Sequence, residues 1–227
     1  MSDIKFTESS LEIAVIEQFQ ELGYDYAIDT DQWCLSRALD SFINEELLLD
    51  RLMAINPGVK ISVLEQAISR LKNLDNPSLF ERNHIVHRWL TDGMQVEDYE
   101  SDVNPLVRFL DFTHPDNNVF QVANQLKFKE NRNIRIPDVI IFVNGIPLVV
   151  FELKSIEYNE DTFIERAYEQ LGRNGESDGY RYDIPTLFNY NAFLVISDGA
   201  NNKVGTLTSD ITRYNEWKSV DGEIGYK

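Results

Sequence analysis

Three charged side chains stand inside an otherwise apolar stretch, PDVIIFVNGIPLVVFELK, that runs from Pro137 to Lys154: Asp138 near its start, Glu152 and Lys154 near its end. Burying a carboxylate or an ammonium in a strand is costly unless something pairs or binds it. Glu152 and Lys154 are two residues apart, so on one strand they project from the same face. Two carboxylates converging from neighbouring strands make a hard-oxygen site suited to Mg²⁺, which takes one or two carboxylates and keeps several waters. Such an ion polarises a phosphodiester and acidifies a bound water, while a lysine orients or deprotonates that water and offsets developing charge. The same residues equally make a buried ion triad in which Lys154 neutralises two acids, and the pattern alone does not separate the two readings.

The elements that must position the three residues are two strands around Asn144-Gly145, a strong hairpin signal. Register decides the geometry. A two-residue loop pairs Val143 with Ile146, sets Asp138 opposite Phe151 and turns it away from Glu152. A three-residue loop from Asn144 to Ile146, with a glycine-assisted bulge, pairs Asp138 with Glu152 and puts all three on one face. Pro147 has no N–H to give the ladder and argues against regular pairing up to the turn. The expected register is the three-residue one, or a bend that brings Asp138 round.

Pro137-Asp138 followed by Glu152-Leu153-Lys154 resembles the PD-(D/E)xK nuclease signature. Its setting, NIRIPDVIIFVNGIPLVVFELKS and then DIPTLFNYNAFLVISDGANNKVGTLTS, resembles the N-terminal nuclease domain of the restriction (R) subunit of type I restriction-modification enzymes. The similarity extends upstream through VRFLDFTHPDNNVFQVANQLKF to TESSLEIAVIEQFQELGYDYA. The resemblance implies Asp138, Glu152 and the backbone carbonyl of Leu153 as metal ligands and Lys154 as the catalytic lysine. That family follows the lysine with a helix bearing Gln-x-x-x-Tyr. Gln170 lies on an expected helix from Thr162 to Arg173 and takes the supporting role. Asn174 stands where the tyrosine belongs, and Tyr180, four residues before Ile184-Pro185, fits the tyrosine better, as if six residues had been inserted. By default both are ordinary surface residues. In related nucleases a glutamate of the first helix assists the metal site, which makes Glu12 an accessory candidate against the default of a solvent-facing glutamate.

The implied function is a Mg²⁺-dependent endonuclease domain, with Mn²⁺ able to substitute, that cuts double-stranded DNA after ATP-driven translocation. Methyltransferase and specificity subunits are the implied partners. The chain contains no G-x-x-x-x-G-K-[ST] and no G-x-G-x-x-G, so ATP use is expected only in a full-length subunit, whose motor this shorter chain lacks. Two readings from other classes stand beside it: a non-catalytic docking domain of the restriction complex, and an acidic DNA mimic.

Charge is the awkward fact. The chain has 38 acidic and 21 basic residues, a net charge of -17, where DNA binders are expected to be basic. Residues 1–102 carry 20 acids against 8 bases, and residues 103–227 carry 18 against 13. Lys127, Lys129, Arg132 and Arg135 form a local basic run just before the motif, placed either to meet phosphates or to protect a strand edge. The single cysteine, Cys34, excludes an internal disulfide, suggests a reducing compartment and reads as core filler. The polar N-terminus and the absence of a long apolar run point to a cytoplasmic protein with no membrane partner.

The expected fold is α/β, a restriction-endonuclease-like mixed β-sheet core flanked by helices, with a mostly helical N-terminal lobe (residues 1–102) before the nuclease core (103–227) in one composite domain. Helices are expected from Ser9 or Ser10 to Leu22, from about Asp31 to Met53, from a capping box at Ser62–Glu65, and from Ser78 through Trp89. VRFLDF and VFQVANQLKF are expected to form a hairpin around THPDNN, with two further strands from Asn191 and Lys203. Gly172–Asp183 is expected to be a polar mobile loop beside the site. His84 and His87 read as helix-surface residues and His114 as a loop residue, because no third ligand completes a zinc set.

Overall fold

The computed structural model describes residues 7–155, 160–172 and 178–217. In chain order the elements are α1 (Glu8–Glu21), β1 (Asp25–Tyr26), α2 (Ala27–Thr30), α3 (Gln32–Ser36), α4 (Glu45–Ile55), α5 (Ile61–Lys72), α6 (Leu79–Asp92), β2 (Met94–Gln95) and β3 (Leu106–Val107). Then follow β4 (Phe120–Asn124), β5 (Phe128–Glu130), β6 (Asn133–Arg135), β7 (Val139–Val143), β8 (Ile146–Leu153), α7 (Glu160–Leu171), α8 (Tyr180–Asp183), α9 (Pro185–Phe188), β9 (Phe193–Ser197), β10 (Asn202–Gly205) and β11 (Asn215–Glu216). The main sheet has the order β1-β4-β7-β8-β9-β10-β11. It is mixed: β7 pairs antiparallel with both β4 and β8, β8 pairs parallel with β9, and β1 pairs parallel with β4. Among the described residues no helix is long and apolar enough to cross a membrane.

The strands are buried on both faces, which is why they read as continuous apolar runs rather than alternating ones. On one face Val122, Val139, Ile141 and Leu153 pack against Leu11 and Ile16 of α1. On the other, Ile140, Phe142 and Val150 join a larger core that takes in Leu48 and Leu52 of α4, the apolar stripe of α5, and Phe163, Ala167 and Leu171 of α7. That core runs without interruption across residue 102, and β1 adds a strand from the N-terminal hundred residues to the sheet.

Local hydrogen bonds explain where the elements differ from expectation. The cap of α1 is Thr7, whose hydroxyl accepts from the Ser10 N–H, and not Ser9 or Ser10. The single helix expected from Asp31 to Met53 is two, α3 and α4, because its polar residues bond the backbone locally instead. Asp31 caps α3 through the Trp33 N–H, Arg37 leaves the helical region to donate to the carbonyls of Ser41 and Lys127, and Asn44 caps α4 through the Leu47 N–H. Ser62 lies inside α5 and makes no cap, whereas Ser78 caps α6 as its position predicts. VRFLDF does not pair with VFQVANQLKF: β3 pairs with β2, and THPDNN folds into a 3-10 turn whose N–H groups at Thr113 and His114 are taken by the Asp111 carboxylate. Cys34 is half-buried against the larger core. His84 is exposed on α6, His87 bonds the Asn191 carbonyl, and His114 is an exposed loop residue.

The turn of the central hairpin is a tight joint in the fold. Asn144 and Gly145 both have positive φ, 53° and 79°, as a two-residue turn of mirror-image hand requires. Asn144 is fully buried; its amide donates to the carbonyl of Phe109 and to Asn118, and its side-chain oxygen accepts from the Val119 N–H. The Gly145 carbonyl accepts from the Asn44 N–H at 2.9 Å. A Cβ on Gly145 would lie 2.6 Å from the Asn44 carbonyl oxygen, so Gly145→Ala combines a backbone clash with an unfavourable φ. The expected loss is about 3 kcal/mol or more of unfolding free energy, read from urea denaturation; a loss under about 1 kcal/mol would contradict this account of the turn.

Candidate functional site

Strand β8 carries one residue more than β7 needs. Val143 pairs with Ile146 and Phe142 with Pro147, but the next pair is Ile141 with Val149, and the register then runs through Ile140–Val150 to Val139–Phe151. Leu148 is thus a β-bulge, and a bulge reverses which face every later residue occupies. The loop is therefore the two-residue one, contrary to the expected three, and the irregularity lies just beyond Pro147 rather than between it and the turn. The outcome at the strand ends is nonetheless the odd register: one step past Val139–Phe151, Asp138 stands opposite Glu152 on the face shared by Ile140 and Val150.

Asp138, Glu152 and Lys154 come together at that end of the sheet, all buried, with Glu152 at 0% exposure. The Leu153 N–H donates to Asp138 Oδ2 at 2.7 Å, tying the first acid across to the strand that carries the second. Lys154 Nζ donates to Glu152 Oε1 at 2.5 Å and to the Leu153 carbonyl at 3.1 Å. Glu152 Oε2 is buried with no hydrogen-bond partner. Burial pushes the Asp138 carboxyl up to about 6, against the pull of the Leu153 N–H and the Lys154 charge. Burial, reinforced by the charge of Asp138, pushes Glu152 up to about 8, opposed by Lys154 and by the neighbouring Tyr180 hydroxyl.

The other predicted residues surround this pair. Glu12 is not solvent-facing: it is 6% exposed, and its carboxylate accepts from Asn124 Nδ2 at 3.0 Å and Gln125 Nε2 at 2.9 Å. Gln170 lies on the exposed side of α7, yet its amide donates to the Tyr180 hydroxyl at 2.6 Å. Tyr180 is buried at 3% and donates to the Ile136 carbonyl at 3.2 Å, next to the motif. Tyr180–Asp183 forms a short helix instead of the expected loop, while Asn174 and the rest of residues 173–177 lie outside the described residues.

Three residues of this neighbourhood were missed in the sequence. Glu8, at the first turn of α1, reaches within 3.9 Å of Lys154 Nζ. Asn124 and Gln125 grip Glu12, and Gln125, at a φ of 51°, also donates its N–H to the Asp138 carbonyl. Nothing local marks them, since their roles follow from β4 lying beside β7. Together Glu8, Ser9, Glu12, Asn124, Gln125, Ile136 and Asp138 line an open cleft of about 600 Å³, so the cleft reaches Asp138.

Among the described residues no group of three or more His, Cys, Asp or Glu side chains is placed to hold a metal ion. What is present is a pair of carboxylates, one backbone carbonyl and an open cleft, a donor set that fits an oxygen-preferring divalent cation completing its shell with water. The Lys154 ammonium bonds two of those three donors and leaves one carboxylate oxygen orphaned in a dry environment.

These raised values set the sign of a pH effect. A carboxyl whose folded value exceeds its unfolded one binds its proton more tightly in the folded state, so stability is highest at low pH and declines as pH rises toward the folded value. The cation-free chain is expected to lose on the order of a few kcal/mol between about pH 4.5 and about pH 8. Glu152→Gln should flatten most of that slope. Thermal unfolding at several pH values checks this, and an unchanged slope in Glu152→Gln would show that Glu152 does not titrate in this window.

The family model described as the type I restriction enzyme R protein N terminus matches residues 5–213. The chain is 33% identical over 222 residues to the type I restriction enzyme HindI endonuclease subunit of Haemophilus influenzae, covering 94% of this chain and 20% of that protein. It is 30% identical over 224 residues to the putative type I restriction enzyme MjaIXP endonuclease subunit of Methanocaldococcus jannaschii, with the same two coverages. A Staphylococcus aureus relative, the SauMSSORF170P endonuclease subunit, is 32% identical over 204 residues, covering 87% and 19%. The chain spans about a fifth of the length of the curated relatives it matches. With the mixed sheet and the match along nearly its whole length, the chain belongs to the family of type I restriction enzyme R protein N-terminal domains.

Proposed function

We propose that this chain is a divalent-metal-dependent endonuclease domain of the PD-(D/E)xK kind, hydrolysing phosphodiester bonds of double-stranded DNA as part of a type I restriction R subunit. The observation that carries the proposal is the convergence, through the bulge at Leu148, of Asp138, Glu152, Lys154 and the Leu153 carbonyl at the foot of an open cleft. Asp138, Glu152 and the Leu153 carbonyl would hold Mg²⁺ or Mn²⁺. When bound, that ion supplies charge neutralisation at the phosphoryl group and acidification of water. The chain's own residues do the rest. The Leu153 N–H fixes the Asp138 carboxylate in place, Lys154 brings a positive charge and donors into the pocket where negative charge develops, and Gln170 with Tyr180 braces the Ile136 end of the motif.

A purely structural ion triad gives no use to the open cleft beside Asp138. An acidic DNA mimic would need its charges on the surface and has no use for two acids buried at strand ends. In the intact subunit, cutting would follow ATP-driven translocation by a motor outside this chain, with methyltransferase and specificity subunits as partners.

Calorimetric titration of the cation-free chain with Mn²⁺ should give one saturable site, weakened about tenfold or more by Asp138→Ala and by Glu152→Ala. Affinity equal to wild type in both variants would overturn the proposed ligands. In the full-length subunit, Glu152→Ala should abolish DNA cutting while leaving ATP hydrolysis intact, and cutting that survives would refute the role given to Glu152.

A further inference from the structure

The basic run before the motif is a distinct structural unit. β5 and β6 form a separate two-stranded hairpin, with Phe128 opposite Arg135, Lys129 opposite Ile134 and Glu130 opposite Asn133. It is rooted in the wall of the cleft: Gln125, shortly before β5, and Ile136, directly after β6, both line it. Ile136 is in turn two residues from Asp138, so both ends of the hairpin join the cleft wall.

Its charges are sorted by face. Phe128 is buried, under the Arg37 guanidinium 4.1 Å from its ring, and Glu130 turns inward, where its carboxylate accepts from the Thr186 N–H and hydroxyl at 2.9 Å. Arg135 pairs with Asp183. That leaves Lys127, Lys129 and Arg132 exposed, and among the described residues none of them makes an ion pair. Elsewhere several exposed bases are matched with acids: Lys60 with Asp98 and Glu100, Lys72 with Glu45, Arg51 with Asp50. In a chain with 38 acids and 21 bases, three unmatched cations fall on or beside this one short hairpin. A cation protecting a strand edge needs one charge per strand, not this concentration beside a cleft.

We infer that the β5–β6 hairpin is the DNA-backbone contact of this domain, with Lys127, Lys129 and Arg132 engaging successive phosphates beside the cleft; this rests on the endonuclease reading above. A duplex carries one phosphate per about 3.4 Å of axis on each strand, and a strand rises about 3.3 Å per residue, so a hairpin of this size spans two to three phosphates. The surrounding negative charge does not cancel the contact, because exposed charges beyond about 10 Å are largely screened at 0.1 M salt. Of the acids beside the hairpin, Glu130 and Asp183 are already engaged, Glu8 and Glu12 face the cleft, and Asp40 is exposed next to Leu39, whose carbonyl accepts from the Lys129 N–H. Contacts of this kind position the duplex without reading its sequence, which suits an element that has to accept any DNA.

The test is fluorescence anisotropy of a labelled duplex of about 20 base pairs with the whole chain in buffer free of divalent cations, at several concentrations of monovalent salt. The comparison is wild type against the triple variant Lys127→Gln, Lys129→Gln, Arg132→Gln. The expected result is binding weakened about tenfold or more at low salt, with the slope of log affinity against log salt reduced by about two to three. Thermal unfolding should be unchanged, since the three side chains are exposed. A second triple variant with glutamate at the three positions should bind more weakly still. Wild-type affinity in the glutamine variant, no duplex binding by wild type at low salt, or equal displacement by polyglutamate of matched charge would each overturn the inference. Mn²⁺ calorimetry separates the two proposals. A hairpin variant that binds Mn²⁺ normally, in a chain whose DNA affinity ignores the hairpin, defeats this inference alone. Hairpin-dependent DNA binding in a chain that takes up no Mn²⁺ defeats the endonuclease reading alone.

Discussion

Two carboxylates sit at the ends of apolar strands, in surroundings that would ordinarily keep a carboxyl uncharged, and the rest of the architecture follows from how they are brought there. Strand side chains alternate with a period of two, so the two acids share a face only if the residues between them add up to the right parity. The tight Asn144-Gly145 turn gives the wrong parity, and the extra residue at Leu148 corrects it. Pro147 precedes the bulge because a residue without an N–H is tolerated where the ladder is already irregular. The freed Leu148 carbonyl does not go unpaired: it accepts from the Ala192 N–H at 2.7 Å and from the Asn191 amide at 3.3 Å, so the parallel strand β9 is docked at the irregularity itself.

The parts of the fold legible in the sequence are those governed by short-range rules. The apolar hairpin, the helix expected from Thr162 to Arg173 and found at Glu160–Leu171, the strands expected from Asn191 and Lys203 and found from Phe193 and Asn202, and the cap at Ser78 all rest on local pattern. The misread segments are those where a polar side chain chooses between the helix and a distant partner. Asn44 is the clearest: its side chain caps α4 while also donating to Asp31, and its N–H goes to Gly145. VRFLDF has strand composition, but only its first residue enters a strand, because the long-range partner of Leu106–Val107 is the short β2.

At the site the same division holds. Asp138, Glu152 and Lys154 announce themselves as charges in an apolar stretch, whereas Glu8, Asn124 and Gln125 are unremarkable until α1 and β4 are placed beside them. Glu12 was legible only through family resemblance, its spacing on α1 being that of any surface glutamate. Tyr180 lies in a polar, glycine-containing segment that composition assigns to a surface loop. It is buried because the Ile136 carbonyl and the Gln170 amide bring its ring inward.

The bond between Gly145 and Asn44 joins residues about a hundred positions apart. A chain emerging from the ribosome exposes Asn44 long before the hairpin, so the N-terminal helices supply a ready seat onto which the turn settles as it appears. The joint couples the maturation of the chemical end of the sheet to a helix cap far from any acid. Damage to that cap would be felt as a slow or incomplete closure of the hairpin, a defect of assembly with every proposed ligand still in place.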